Sequence, residues 1–151
     1  METTRFLADC MLGKLARWLR ILGYDIAYFR YLEDNKLLAI ALLEKRILLT
    51  KDRALAALGR EWAYYVKAET PLEQLLELKN TFSLTFPLPP RCPFCNVPLQ
   101  DVPPEEAKKD VPLFVSVSFH SFRRCPSCGK VFWPGTHWDK IQRTCQEFLA
   151  D

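Results

Sequence analysis

Short apolar runs alternate with amphipathic stretches along residues 1–80. Phe6-Leu7-Ala8 ends on Asp9 and reads as a buried strand. Leu12, Leu15, Ala16, Leu19 and Leu22 then recur at helical spacing, while Lys14, Arg17 and Arg20 step round the other side. Gly23 is placed to end that helix, and Asp25-Ile26-Ala27-Tyr28-Phe29 reads as a second strand. Glu33-Asp34-Asn35 opens a second helix whose apolar stripe is Leu37, Leu38, Ile40, Ala41 and Leu42. Ile47–Thr50 is a third buried strand, followed by Lys51-Asp52-Arg53 and an Ala/Leu helix to about Leu58. Trp62–Val66 is a fourth strand and Pro71–Leu78 a fourth helix, with proline near its start. This βαβαβαβα alternation predicts an α/β fold, a parallel sheet flanked by helices, over residues 1–80.

The pattern then changes. Residues 81–91 form a linker in which Phe86-Pro87-Leu88-Pro89-Pro90 is stiff and extended. Residues 92–138 hold paired cysteines, further prolines and one strand-like run, Leu113 to Phe122. Within the final segment, 139–151, Asp139 to Leu149 reads as a closing helix.

Composition narrows the class. A chain of 151 residues, 49% hydrophobic and 26% charged, is of the soluble globular kind. That length suits one good-sized domain, or a small domain with a metal module. The net charge is only +3, so a nucleic-acid site must come from clustering and not from bulk charge. No window approaches about 18 uninterrupted apolar residues, which argues against a membrane span. The N-terminal stretch lacks an apolar signal core, so the expected location is cytoplasmic.

Cys92-Pro-Phe-Cys95 and Cys125-Pro-Ser-Cys128-Gly supply four thiolates in two knuckles, the donor set of a tetrahedral zinc site. Four protein ligands leave no open position, so the expected zinc is structural and contributes roughly 10 kcal/mol or more of folding energy. His120 and His137 are alternative ligands, less favoured than the cysteines. Cys10 and Cys145 are left over, with a default reading as small buried hydrophobes.

Three carboxylates fall at comparable places in the first half. Asp9 follows strand one, Asp34 begins helix two and Asp52 follows strand three, all on the carboxyl edge of a parallel sheet. Converging carboxylates repel unless a cation holds them, and Mg²⁺ or Mn²⁺ suits an all-oxygen site. Lys14, Arg17, Arg20 and Arg53 would then neutralise substrate phosphates. The competing readings are that Asp34 and Asp52 merely cap helices and that the basic stripe is an ordinary solvated face. Around the knuckles, Phe119, Phe122, Arg123, Arg124, Phe132, Trp133 and Trp138 interleave aromatic and basic groups. That mixture suits base stacking with phosphate contact, Arg123 and Trp138 being the candidates. The alternative is that the aromatics, Phe132 and Trp133 above all, seal the ribbon against the α/β half.

The stretch Asp9-Cys-Met-Leu-Gly-Lys-Leu-Ala-Arg-Trp-Leu-Arg-Ile-Leu-Gly-Tyr-Asp, with Arg46-Ile-Leu-Leu-Thr-Lys-Asp-Arg, resembles the PIN-like ribonuclease family named for the Mut-seven C-terminal domain. Val131-Phe-Trp-Pro-Gly-Thr-His-Trp fits it too, so the resemblance covers nearly the whole chain. It implies a PIN-like α/β fold, a metal-dependent nuclease site and an inserted or appended zinc ribbon. Asp9 and Asp52 match the family's acidic positions, and Asp34 or its neighbour Glu33 supplies the third. A fourth acid has no clear counterpart beyond Glu69. The expected function is a metal-dependent endoribonuclease, its partners RNA and, through the ribbon, a ribosome or another ribonucleoprotein. The incomplete acid set motivates a rival, a non-cleaving RNA- or ribosome-binding module. A small-phosphoester hydrolase on the same edge is a third reading.

Overall fold

The computed structural model describes residues 3–149, with the backbone alone at positions 136, 137, 148 and 149. Strands β1 (Phe6–Ala8), β2 (Ile26–Tyr28), β3 (Ile47–Thr50) and β4 (Ala63–Tyr65) form one sheet. All its pairings are parallel, in the order β2-β1-β3-β4. Helices α1 (Gly13–Ile21), α2 (Asp34–Glu44) and α3 (Arg53–Gly59) make the crossovers, and α4 (Pro71–Phe82) follows β4. The strands are short and apolar because both faces are covered. Phe6, Ala8, Ile26 and Leu49 face the core beneath α1 and α4. Leu7 and Leu48 point the other way, onto Leu37, Ala41 and Leu55. Of the stripe expected on α2, Leu42 is exposed.

Strand order decides where a ligand crevice opens. From β1 the chain crosses to β2 on one side, and β3 then lies on the other. The carboxyl ends of β1 and β3 therefore flank a topological switch point, where open parallel sheets bind ligands.

Helix α1 ends in a Schellman turn: Gly23 N–H donates to Arg20 O (3.0 Å) and Tyr24 N–H to Leu19 O (2.9 Å). Gly23 sits at φ +98°, and a Cβ there would lie 2.5 Å from the Leu88 Cβ. That close approach seats the proline-rich segment on α1. Leu88 N–H donates to Leu22 O, Arg91 N–H to Arg20 O, and Tyr24 Oη to Thr85 O. The segment, expected to be extended, instead bends at Phe86 and Pro89, and its Phe86 and Leu88 pack against the first half's core beside buried Leu84.

The cysteine region carries a second sheet. Strands β5 (Gln100–Val102), β6 (Phe122–Arg124) and β7 (Val131–Phe132) pair antiparallel in chain order. Helices α5 (Pro104–Ala107) and α6 (Leu113–Ser118) fill the β5–β6 connection over a small core of Ala107, Val115 and Phe122. The run Leu113–Phe122, expected as one strand, is therefore mostly helix. Its partners β5 and β7 are only 3 and 2 residues long, so the ladder takes up no more than Phe122–Arg124.

The closing helix, α7 (Thr136–Leu149), starts a little before Asp139. It returns to α1 and α4, burying Ile141 and Cys145 in the main core with Trp138 packed beside them. Cys145 is the buried hydrophobe expected, and burial pushes its thiol up to about 11. Cys10, by contrast, is exposed.

Candidate functional site

At the switch point, Asp9 is held by the two strands it joins. It is only 6% exposed. Its Oδ1 accepts from Met11 N–H at 3.0 Å, capping the short 3-10 turn Cys10–Leu12 that leads into α1. Its Oδ2 accepts from the Thr50 hydroxyl at 2.5 Å and from Lys51 N–H at 3.0 Å. Thr50 Oγ1 in turn accepts from Asp52 N–H at 2.9 Å, so one buried hydroxyl links the two acidic positions. Sequence patterning reads Thr50 only as the end of a strand. Its role is set by the β1–β3 pairing.

Asp52 caps α3, its Oδ1 accepting from Ala54 N–H (2.9 Å) and Leu55 N–H (3.2 Å). Among the described residues, its Oδ2 accepts from no protein donor. Asp34 is exposed in the first turn of α2, and Glu33 holds the N-cap position without a side-chain bond. Glu69 lies past β4 and pairs at 3.5 Å with Lys51, whose ammonium also donates to the Val66 and Ala68 carbonyls. Among the described residues, these acids do not draw three ligand atoms together as the cysteines do.

A divalent ion at this edge fits the donor chemistry. A carboxylate offers about four acceptor directions. Among the described residues, Asp9 uses three of them internally, leaving one on Oδ1, and Asp52 keeps a whole oxygen.

The basic residues divide. Lys14 and Arg17 are exposed on α1, and exposed Arg53 lays its guanidinium 4.6 Å from the centre of the Tyr65 ring. Arg20, expected beside them, is 8% exposed. Its Nε donates to Ile26 O (2.9 Å) and its Nη1 to Pro93 O (2.7 Å), clamping α1 and β2 to the first cysteine knuckle. The structure gives it an architectural role instead of a phosphate contact. Arg123 is half-buried and paired with Asp101 at 3.2 Å, and Trp138 packs 5.1 Å from Phe132.

The four thiols of Cys92, Cys95, Cys125 and Cys128 lie within 4.8 Å of one another, close enough to hold a metal such as zinc. Cys92 and Cys128 sulfurs stand 3.9 Å apart, against about 3.8 Å expected for the edge of a tetrahedron with 2.3 Å zinc–sulfur bonds. The knuckles are built alike. Asn96 N–H donates to Cys92 O as Gly129 N–H does to Cys125 O, and both donors sit at positive φ, 62° and 77°. Burial pushes the Cys92 thiol up to about 12, whereas a hydrogen bond from the Lys130 main chain draws Cys128 down to about 7. His120 is exposed outside this group, and the His137 side chain lies outside the described residues.

The family model for the Mut7-C RNAse domain matches residues 4–145, spanning both the acidic edge and the cysteine module. The chain belongs to the Mut7-C RNAse domain family. No curated protein and no solved structure matches it significantly. The family points to a ribonuclease-like role, with RNA as the substrate class. Among the described residues no helix is long and apolar enough to cross a membrane.

Proposed function

We propose that this Mut7-C protein is a metal-dependent endoribonuclease whose PIN-like unit, residues 1–80, cuts RNA beside its own zinc ribbon, residues 92–138. The supporting observation is that Asp9 and Asp52 flank the sheet's switch point and each keeps an acceptor direction that the fold does not use. Asp9, Asp52 and Asp34 would hold Mg²⁺ or Mn²⁺, with Glu33 as the alternative to Asp34 and Glu69 as the candidate fourth acid. Such an ion, when bound, supplies Lewis acidity toward the phosphodiester and its attacking water. Lys14, Arg17 and Arg53 position the backbone phosphates, which makes association strongly salt-dependent. The protein works in the cytoplasm, and the ribbon's zinc is structural, because its four ligands close the coordination shell.

The test is cleavage of labelled single-stranded RNA by purified protein with Mn²⁺ or Mg²⁺ and with EDTA, beside Asp52→Asn. Metal-dependent cutting that the variant loses is the expected result. One observation favours a second reading, a non-cleaving RNA- or ribosome-binding module: Asp9 is heavily engaged by Met11, Thr50 and Lys51, and the acids do not converge as the thiols do. Salt-sensitive RNA binding with no cutting under any metal would establish it. Turnover of small phosphoesters without RNA cleavage would instead support the phosphoester hydrolase.

A further inference from the structure

Between α1, the first cysteine knuckle, β7 and α7 runs a groove of about 580 Å³, within the range of about 300–1,000 Å³ usual for ligand sites. One wall is α1, which starts a single 3-10 turn beyond Asp9 and contributes Lys14, Arg17 and Trp18. The other is ribbon and α7, contributing Phe94, Trp133 and Trp138. Phe94 is 56% exposed, although it lies between two thiol ligands. The Lys130 ammonium stands 4.1 Å from the centre of its ring. No carboxylate is among the described lining residues, so cations and aromatic faces meet an occupant without opposing charge.

We infer that this groove holds an unpaired stretch of single-stranded RNA, a base stacked among Phe94, Trp18 and Trp138 and its phosphates on Lys14 and Arg17, leading the strand to the acidic edge. The inference rests on RNA being the substrate. Stacking needs a free base face, which a duplex hides, and every base offers one, so selection is for single strands over duplexes with little sequence preference. An apolar peptide would fill the aromatic floor but give the paired cations of α1 nothing to bind. The zinc module thus forms half of the strand's track, and its metal fixes the position of Phe94.

The experiment uses the full zinc-loaded chain carrying Asp52→Asn, so that binding is read without cutting. The probes are a labelled single-stranded oligoribonucleotide, an abasic oligomer of equal length and charge, and a duplex, followed by fluorescence anisotropy. The base-containing strand should bind about 5- to 100-fold tighter than the abasic one. Phe94→Ala, at a solvent-facing position that little packing depends on, should remove most of that difference. Lys14→Ala with Arg17→Ala should weaken both single strands and flatten the log–log salt slope by about 1.4. Equal affinity for the base-containing and abasic strands would overturn the inference. So would duplex binding as tight as the single strand's, or unchanged binding by Phe94→Ala. The two proposals can fail separately. Base-dependent binding by a protein that cuts nothing removes the nuclease and leaves the groove, and cutting without base dependence does the reverse.

Discussion

Asp9 and Asp52 occupy similar places on the sheet edge but differ in what the fold asks of them. Asparagine caps a helix about as well as aspartate. Asp52→Asn should therefore keep the Ala54 and Leu55 bonds, shift the melting temperature little and abolish cutting. Asp9→Asn would set an amide N–H₂ or a single oxygen against Lys51 N–H, Met11 N–H and the Thr50 hydroxyl. It should cost about 1–3 kcal/mol of stability by thermal or urea denaturation, which confounds it as a catalytic probe. Asp25 carries a pH dependence. Burial raises its carboxyl, but bonds from Arg46 and Asn96 and the charges of Arg46 and Arg91 outweigh this and hold it below the ordinary 3.8. The folded state thus favours the ionised form, and its contribution is complete above the unfolded value and lost as pH falls through the folded one. The stability gap between wild type and Asp25→Asn should be widest above about pH 4 and narrow on acidification. At this scale, Asp9, Asp52 and the four cysteines were legible because strand ends and Cys-x-x-Cys spacing are local signals. Arg20 was not, because its partner Pro93 lies 73 positions away and helical periodicity carries no trace of it.

The four parallel strands and α1 to α4 were legible as elements because a strand covered on both faces reads as a short continuous apolar run and each helix carries an apolar stripe for its buried side. The run from Leu113 was not. Alternating Val, Phe and Ser suggests a strand, yet Leu113, Phe114 and Val117 are exposed and the Ser116 hydroxyl donates back to Leu113 O within a short helix. Burial of such a run depends on paired partners of matching length, which its own residues do not record. The end of α1 shows the reverse, a local signal with a distant consequence. Gly23→Ala would force a side chain into positive φ and into Leu88. The loss should be at least about 2 kcal/mol, from left-handed strain together with overpacking. Denaturation should show it, alongside faster proteolysis of residues 83–91.

Across the whole molecule, the thiol module is joined to the sheet by more than chain connectivity. Asn96 Oδ1 accepts from Ile26 N–H and its Nδ2 donates to Asp25, while Arg20 donates to Pro93 O. Removing zinc with a chelator should therefore lower the melting temperature of the entire chain in one cooperative transition, with protease sensitivity appearing first across residues 91–135. Two separate transitions by calorimetry, the first confined to the ribbon, would show the coupling to be weak. The return of α7 has another consequence. Beside the sheet, one patch of α1 and α4 is covered by Ile141 and Cys145, which come from beyond the ribbon in sequence. On a ribosome, residues 1–90 can emerge with that patch uncovered, and it stays so until residues 136–149 have left the exit tunnel. A nonsense codon anywhere in the ribbon should therefore yield a sticky fragment and not a smaller working protein.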